Sequence, residues 1–122
     1  MAAKQAATLD VLSAGRLTLG VGIGWSAEEF AALGVPFTRR AQRTAEYVAA
    51  MRTLWTNDSA SFAGEFTRFN SIRVNPKPVR NSRIPIVLGG NSDASLAEWQ
   101  PSQTAGTAST SPRQRWRSGW QR

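Results

Sequence analysis

The chain has 122 residues, enough for one modest hydrophobic core but too few for a large enzyme domain. It contains no cysteine and no histidine, which excludes a disulfide framework, a thiolate or imidazole zinc site and a Ser-His-Asp triad within this chain. The formal net charge is +7, and residues 99–122 contribute four arginines to it without a single acidic residue.

The C-terminal segment therefore differs in composition from the rest of the chain. It is rich in Ser, Thr, Gln and Pro and has no apolar periodicity, so we predict a disordered, low-complexity basic tail over residues 98–122. Arginines interleaved with tryptophans are also compatible with phosphate contacts and base stacking. A basic nucleic-acid-binding protein without enzymatic activity is thus an alternative, although a solvated tail is the more usual outcome.

The N-terminal residues do not have the pattern of a signal peptide. The segment lacks the basic head, long apolar run and cleavage signature of a signal peptide, and no apolar stretch reaches about 18 residues. We therefore expect a cytoplasmic protein without a membrane partner.

The first elements predicted in chain order are a helix and a buried strand. Apolar residues at helical spacing predict a helix over residues 2–13, and Gly15 suits the left-handed position that follows a helix. Residues 16–24 are nearly continuously apolar apart from glycines, which is typical of a strand covered on both faces in a parallel sheet.

Two helices are predicted next. Ser26 followed by Glu29 forms a capping box, so a short helix should begin there and stop at Gly34. A longer helix is expected from Thr38 to about Trp55, with apolar residues recurring every three or four positions. Three arginines are assigned to its solvent-exposed face: Arg39, Arg40 and Arg43.

The pattern then changes to short strands. Gly64 marks the turn of a hairpin whose aromatic residues, Phe62, Phe66 and Phe69, should pack locally. Residues 75–78, "NPKP", predict an extended linker because proline lacks the donor that a central strand needs. Residues 84–88 predict a second buried strand, which ends in two glycines and leads into a helix capped near Asn91 or Ser92.

The order strand, glycine, helix thus occurs twice. "GIGWSA", residues 22–27, formally matches the G-x-G-x-x-A dinucleotide fingerprint, and Glu46 lies near the expected acidic position. That fingerprint needs the acid at the end of a second strand, whereas Glu46 falls inside the long predicted helix. A dinucleotide-binding fragment of Rossmann type is kept as an alternative, as is a purely structural role for the glycines.

The residue order of several segments is more specific than their spacing. "LDVLSAGRLTLGVGIGW", then "EEF" and "LG", "GEFTRF", "VNPKPV" and "IPIVLGGNS" follow one another over about residues 3–97. This series resembles the bacterial luciferase-like monooxygenase family, especially its deazaflavin-dependent oxidoreductases from actinobacteria. The resemblance implies an α/β fold, a partial TIM-type (β/α) barrel over residues 1–97, with the cofactor at the carboxyl ends of the strands.

The resemblance also implies which residues hold the cofactor. The end of the second strand would bind its phosphate through Gly89, Gly90, Asn91 and Ser92, where glycines admit the ligand and free N–H groups favour an anion. Gly22, Gly24 and Trp25 would lie beside the flavin ring or its side chain. For Trp25, packing at the top of the barrel is the alternative. No metal site is implied, and no catalytic residue is assigned.

The resemblance is incomplete at both ends. A whole barrel needs about 250 residues, and the family's early strands have no counterpart here. After Leu96 the family pattern stops, and a shifted reading frame with permitted codons restores "ADGW", a motif of the family. We therefore expect a truncated, frame-shifted fragment, with residues 98–122 out of frame.

The function implied by the resemblance is that of a flavin- or deazaflavin-dependent oxidoreductase or monooxygenase. The cofactor would be coenzyme F420, a deazaflavin, or alternatively FMN. The parent protein would move a hydride to or from a small organic substrate, or use reduced flavin with oxygen. The chain by itself is expected to be inactive.

Overall fold

The computed structural model describes residues 1–80 and 83–89. The elements in this part of the chain are α1 (Ala2–Leu12), β1 (Leu19–Gly22), α2 (Ala27–Ala32), α3 (Arg40–Thr56), β2 (Ala60–Ala63), β3 (Arg68–Ile72) and β4 (Ile86–Gly89). The predicted tail and the predicted helix near Asn91 or Ser92 lie outside the described residues.

Helix α1 forms one side of the core. Its alanines at positions 3, 6 and 7 are buried together with Trp55 of α3 and Ile84. Their spacing places them on one face of α1, and small side chains there let α3 approach closely. The helix ends near the predicted position, where Ala14 and Gly15 are both left-handed, with φ +52° and +75°. Leu17, Leu19 and Ile86 pack against the same cluster and tie the strands to it.

Strands β1 and β4 pair in parallel, the direction that the implied (β/α) barrel requires. The register joins Leu19 with Ile86 and Gly22 with Gly89. β1 is shorter than residues 16–24, since its ladder with β4 covers only Leu19–Gly22. Residues of β1 and β4 alternate between half-buried and exposed, so the described residues do not cover both faces as predicted. Because β1, α3 and β4 form a β-α-β unit, the described part has the repeating element of (β/α) folds.

Helix α2 begins at the predicted cap. Ser26 accepts a hydrogen bond on Oγ from the backbone N–H of Glu29 at 3.2 Å. The hydroxyl of Ser26 also donates to Glu28 at 3.0 Å. Hydrogen bonding to the backbone amide and to Ser26 lowers the pKa of Glu28. The helix stops before Gly34, whose φ is +66°, as predicted.

Helix α3 begins at Arg40, two residues later than predicted, because Arg39 is left-handed with φ +58°. The assignment of Arg43 to the solvent-exposed face was wrong: its side chain is only 9% exposed. Its guanidinium donates to the carbonyl of Pro36 at 2.7 Å and lies 4.9 Å from the centroid of the Phe66 ring. An arginine stem and a flat guanidinium can cover an aromatic ring, which polarity patterns do not reveal.

Strands β2 and β3 form the predicted antiparallel hairpin, a two-stranded sheet separate from β1 and β4. Phe62 and Phe69 stack across it with ring centroids 5.9 Å apart, which confirms local packing for these two, whereas Phe66 lies against Arg39 and Arg43. The carboxylate of Glu46 on α3 accepts the backbone N–H groups of residues 65–67 at 2.7 to 2.9 Å. These bonds hold the turn of the hairpin against α3.

Candidate functional site

The site begins where the two parallel strands end. Gly22 and Gly89 are register partners, so one glycine from each predicted strand end lies beside the other at one edge of the sheet. A Cβ added at Gly20 or Gly22 would meet no atom within 4 Å, and one added at Gly89 would meet only the Val21 carbonyl oxygen, at 3.9 Å. The space next to Gly20 and Gly22 is therefore open in the described part of the molecule, although Val87, the register partner of Gly20, is an exposed apolar side chain.

Gly24 continues this edge with a constrained backbone. Its φ is +85°, and a Cβ at this position would come within 2.6 Å of the Phe30 ring. A side chain would therefore require both a left-handed backbone and displacement of Phe30. Gly24 is thus the glycine of this strand end that the local packing demands.

Trp25 follows directly and projects away from the described core. Its side chain is 86% exposed, so the alternative of a packing residue finds no support in residues 1–80 and 83–89. Its neighbour Ser26 is buried and caps α2. A large indole on an anchored backbone can present a flat apolar face to a planar ligand.

Arg40 also lies next to this edge, although its sequence position did not predict a place there. Its Nε donates to the carbonyl of Gly24 at 3.1 Å, and its guanidinium carbon lies 4.0 Å from the centroid of the Phe37 ring. Phe37 in turn meets Phe30 edge to face, with centroids 5.3 Å apart. No local pattern reports a contact between residues 16 positions apart, so the sequence carried no signal for it.

Of the four residues predicted to bind phosphate, one lies in the described part of the chain. Gly89 is described, whereas Gly90, Asn91 and Ser92 lie outside the described residues. The described portion of the site offers backbone groups, an indole and the Arg40 guanidinium. These groups can bind and orient a ligand. None of them is assigned as a general acid, a general base or a nucleophile.

Glu46 does not serve the dinucleotide alternative. It lies within α3, where its carboxylate is engaged by three backbone N–H groups of the hairpin turn. A ribose-binding acid has to lie at the end of a second strand with free oxygens. The formal G-x-G-x-x-A match is therefore not accompanied by the second feature of that fingerprint.

None of the helices within residues 1–80 and 83–89 combines the length and the apolar character needed to cross a bilayer. The same ranges hold no group of three carboxylate, imidazole or thiol side chains close enough to share a metal ion.

Comparison with known proteins gives consistent matches. The sequence model for luciferase-like monooxygenase matches residues 1–99. An uncharacterised protein of Mycobacterium tuberculosis is 43% identical over 97 residues, which are 80% of this chain and 34% of that protein. The FMNH2-dependent dimethylsulfone monooxygenase of Pseudomonas putida is 40% identical over 97 residues, covering 77% of this chain and 27% of the enzyme.

A solved structure agrees with these sequence matches. The monooxygenase RslO1 from Streptomyces bottropensis superposes with a TM-score of 0.67 at 30% identity, covering 71% of this chain and 26% of that one. The chain thus spans between 26% and 34% of the length of these three proteins.

Proposed function

The chain belongs to the luciferase-like monooxygenase family, and we propose that it supplies one part of a flavin or deazaflavin site at the carboxyl ends of its parallel strands. The observation that carries the proposal is the pairing of Gly22 with Gly89, which brings two glycine-ended strands to one edge. In (β/α) barrels this is the edge at which active sites are built. The complete protein is proposed to close such a barrel.

The ring side of the site consists of Gly22, Gly24 and Trp25. A planar heteroaromatic ring needs open space, and no atom of the described residues lies within 4 Å of a Cβ added at Gly22. Trp25 adds an exposed indole beside it. Stacking on such a face contributes beyond the area that it buries.

The phosphate side consists of Gly89, Gly90, Asn91 and Ser92. Glycine lets the backbone approach an anion closely, and unpaired N–H groups after a strand favour negative charge. Gly89 fits this role, because an added Cβ would meet only a carbonyl oxygen at 3.9 Å. The three residues after it are assigned on the resemblance alone.

Two cofactors suit these two half-sites. Coenzyme F420 would supply hydride transfer to or from a small organic substrate, and reduced FMN would supply reactivity toward oxygen. The name of the Pseudomonas putida relative, an FMNH2-dependent monooxygenase, supports a flavin. The residues of this chain bind and orient the cofactor in either case. We place the activity in the cytoplasm and residues 98–122 outside the site.

Protein-observed NMR tests the assignment, because it detects weak binding by half a site. Inorganic phosphate alone is expected to shift the amide signals of residues 89–92, and lumiflavin, the ring without phosphate, those of residues 22–25. FMN and F420 should each shift both groups, and the cofactor with the larger shifts at equal concentration is the better fit.

A pair of variants provides the control. Trp25→Ala should abolish the shifts caused by lumiflavin, whereas Tyr47→Ala removes another exposed aromatic side chain, on α3, and should leave them unchanged. Equal losses in both variants, or lumiflavin shifts that avoid residues 22–25, would contradict the proposed ring site.

A further inference from the structure

Four residues contact one another in a closed circuit around the end of β1: Gly24, Phe30, Phe37 and Arg40. The Phe30 ring occupies the space that a side chain at Gly24 would need. Phe30 meets Phe37 edge to face at 86°, Arg40 lies over Phe37, and Arg40 Nε returns to the Gly24 carbonyl at 3.1 Å. This circuit of contacts joins the end of β1, α2 and the start of α3.

Arg40 closes this circuit of contacts with a hydrogen bond to the Gly24 carbonyl. Its guanidinium is planar, so Nε can point at the Gly24 carbonyl while the flat face covers Phe37, 4.0 Å from the centroid. A lysine ammonium has neither the plane nor an Nε donor on the stem. The two contacts together define the orientation of the Gly24–Trp25 peptide group.

Trp25 is consequently held by its neighbours and not by its own side chain. On one side the Gly24 carbonyl is bonded to Arg40, and on the other Ser26 caps α2 through the N–H of Glu29. The indole itself is 86% exposed. A ligand that stacks on this indole therefore depends on backbone anchoring to avoid the entropic cost of ordering the loop.

We propose that Arg40 is a positioning residue, which acts through the Gly24 carbonyl to hold Trp25 in place for the planar ring of the cofactor. This inference rests on the proposed function, since it takes Trp25 as the residue beside the ring. Arg40 is not a catalytic residue in this role. It sets the conformation of the strand end before the ligand arrives.

The test measures backbone motion and ligand binding in the same samples. Arg40→Met keeps the length of the stem and removes the donor, and Arg40→Lys restores the charge only. Arg16→Met is the matched control, because Arg16 Nε also donates to a backbone carbonyl, that of Ser13 at 2.8 Å, before β1 begins. Trp25→Ala reports whether the indole contacts the ring at all.

In the unchanged chain the N–H order parameters of Gly24 and Trp25 should be near 0.85, and in Arg40→Met they should fall toward about 0.6. Lumiflavin affinity, from the shifts of the remaining signals, should fall about tenfold in Arg40→Met, because the entropic cost of ordering residues 24 and 25 is then paid on binding. For both the order parameters and the lumiflavin affinity, Arg40→Lys should give values between those of the unchanged chain and Arg40→Met. Arg16→Met should give the values of the unchanged chain. Dispersed amide spectra verify that each variant is folded.

The other outcomes are distinct. If Trp25→Ala weakens binding but Arg40→Met does not, the inference is overturned and the proposed function stands. If Arg40→Met weakens binding while Gly24 and Trp25 stay rigid, Arg40 touches the ligand directly and the positioning role is overturned. If Trp25→Ala has no effect, the proposed ring site fails, and the inference fails with it.

Discussion

The indole N–H of Trp55 donates to the backbone carbonyl of Ala3 at 2.8 Å, across a separation of 52 residues. The Trp55 side chain is fully buried, and Ala3 lies in the same core cluster. The bond therefore joins α3 to the first turn of α1 in surroundings from which water is excluded. A buried hydrogen bond of this kind costs more to remove than an exposed one, because the partner left behind is desolvated.

We predict that Trp55→Phe lowers the free energy of unfolding by about 1–3 kcal/mol, since the Ala3 carbonyl would be left without its indole donor and a void would form. Urea titration followed by circular dichroism measures this change. Trp25→Phe is the control, because Trp25 is exposed and its replacement should leave the unfolding midpoint unchanged. If both variants lost a similar free energy of unfolding, the bond to Ala3 would not explain the loss in Trp55→Phe.

Asp10 is predicted to hold the segment before β4 against α1. Its side chain is fully buried, and Oδ2 accepts the backbone N–H of Val79 at 2.8 Å, whereas Oδ1 has no protein partner in the described residues. Asp10→Ala should cost about 1–3 kcal/mol, because the N–H of Val79 loses its acceptor.

Asp10→Asn separates the hydrogen bond from the charge. The amide oxygen can still accept from Val79, and a neutral group near the C-terminus of α1 avoids an unfavourable interaction with the helix dipole. The loss should therefore be clearly smaller than for Asp10→Ala in the same denaturant titration. Equal losses would mean that the carboxylate charge, and not the bond to Val79, stabilises the fold.

The turn of the hairpin should depend on Glu46 and Gly64 together. A side chain at Gly64 would overlap the carboxylate of Glu46, which accepts three backbone N–H groups of the turn. Gly64→Ala and Glu46→Gln should each increase hydrogen exchange at residues 65–67, because both disturb these bonds. The double variant should be less affected than the sum of the two, since both changes act on one contact. Additive effects would contradict this coupling.

The ion pair between Arg39 and Glu65 should depend on pH. The guanidinium donates to both carboxylate oxygens, and this hydrogen bonding lowers the pKa of Glu65 below 4.5. A lowered carboxyl pKa in the folded state contributes stability above the ordinary pKa, which is lost as pH falls through the lowered value.

Thermal unfolding of the chain and of Glu65→Gln tests this dependence. The chain should have the higher unfolding midpoint at about pH 7, and the difference should shrink as pH falls through the lowered pKa of Glu65. Both side chains are more than half exposed, so added salt should also reduce the difference. A difference independent of pH and salt would contradict an electrostatic origin.

Prediction from the sequence succeeded where the determining residues are close together in the chain. The α1 helix, its left-handed Gly15, the Ser26 cap and the hairpin around Gly64 were all expected and are all present. Each of them depends on interactions within about ten residues, such as caps, turns and periodic apolar faces. The parallel direction of β1 and β4 was also predicted, because the family resemblance implied a (β/α) barrel, whereas their direct pairing was not.

Prediction failed where a side chain has more than one way to satisfy its chemistry. Arg43 was assigned to solvent on the basis of its charge, yet it packs on Phe66 and bonds to Pro36. The start of α3 was misplaced because no pattern indicates that Arg39, which carries a Cβ, adopts a left-handed conformation. Both outcomes depend on the hairpin and on the segment before α3, which lie against these arginines.

The sequence by itself determined the local elements, the α/β character and the family, because these follow from residue order and short-range periodicity. It also indicated the glycine-ended strands on which the candidate site is built. Only the tertiary structure decided that Gly22 meets Gly89, that Glu46 serves the hairpin, and that Arg40 holds the Gly24 carbonyl. These partners lie 16 or more residues apart, and whether their groups meet depends on how the helices and strands pack, which residue spacing does not specify.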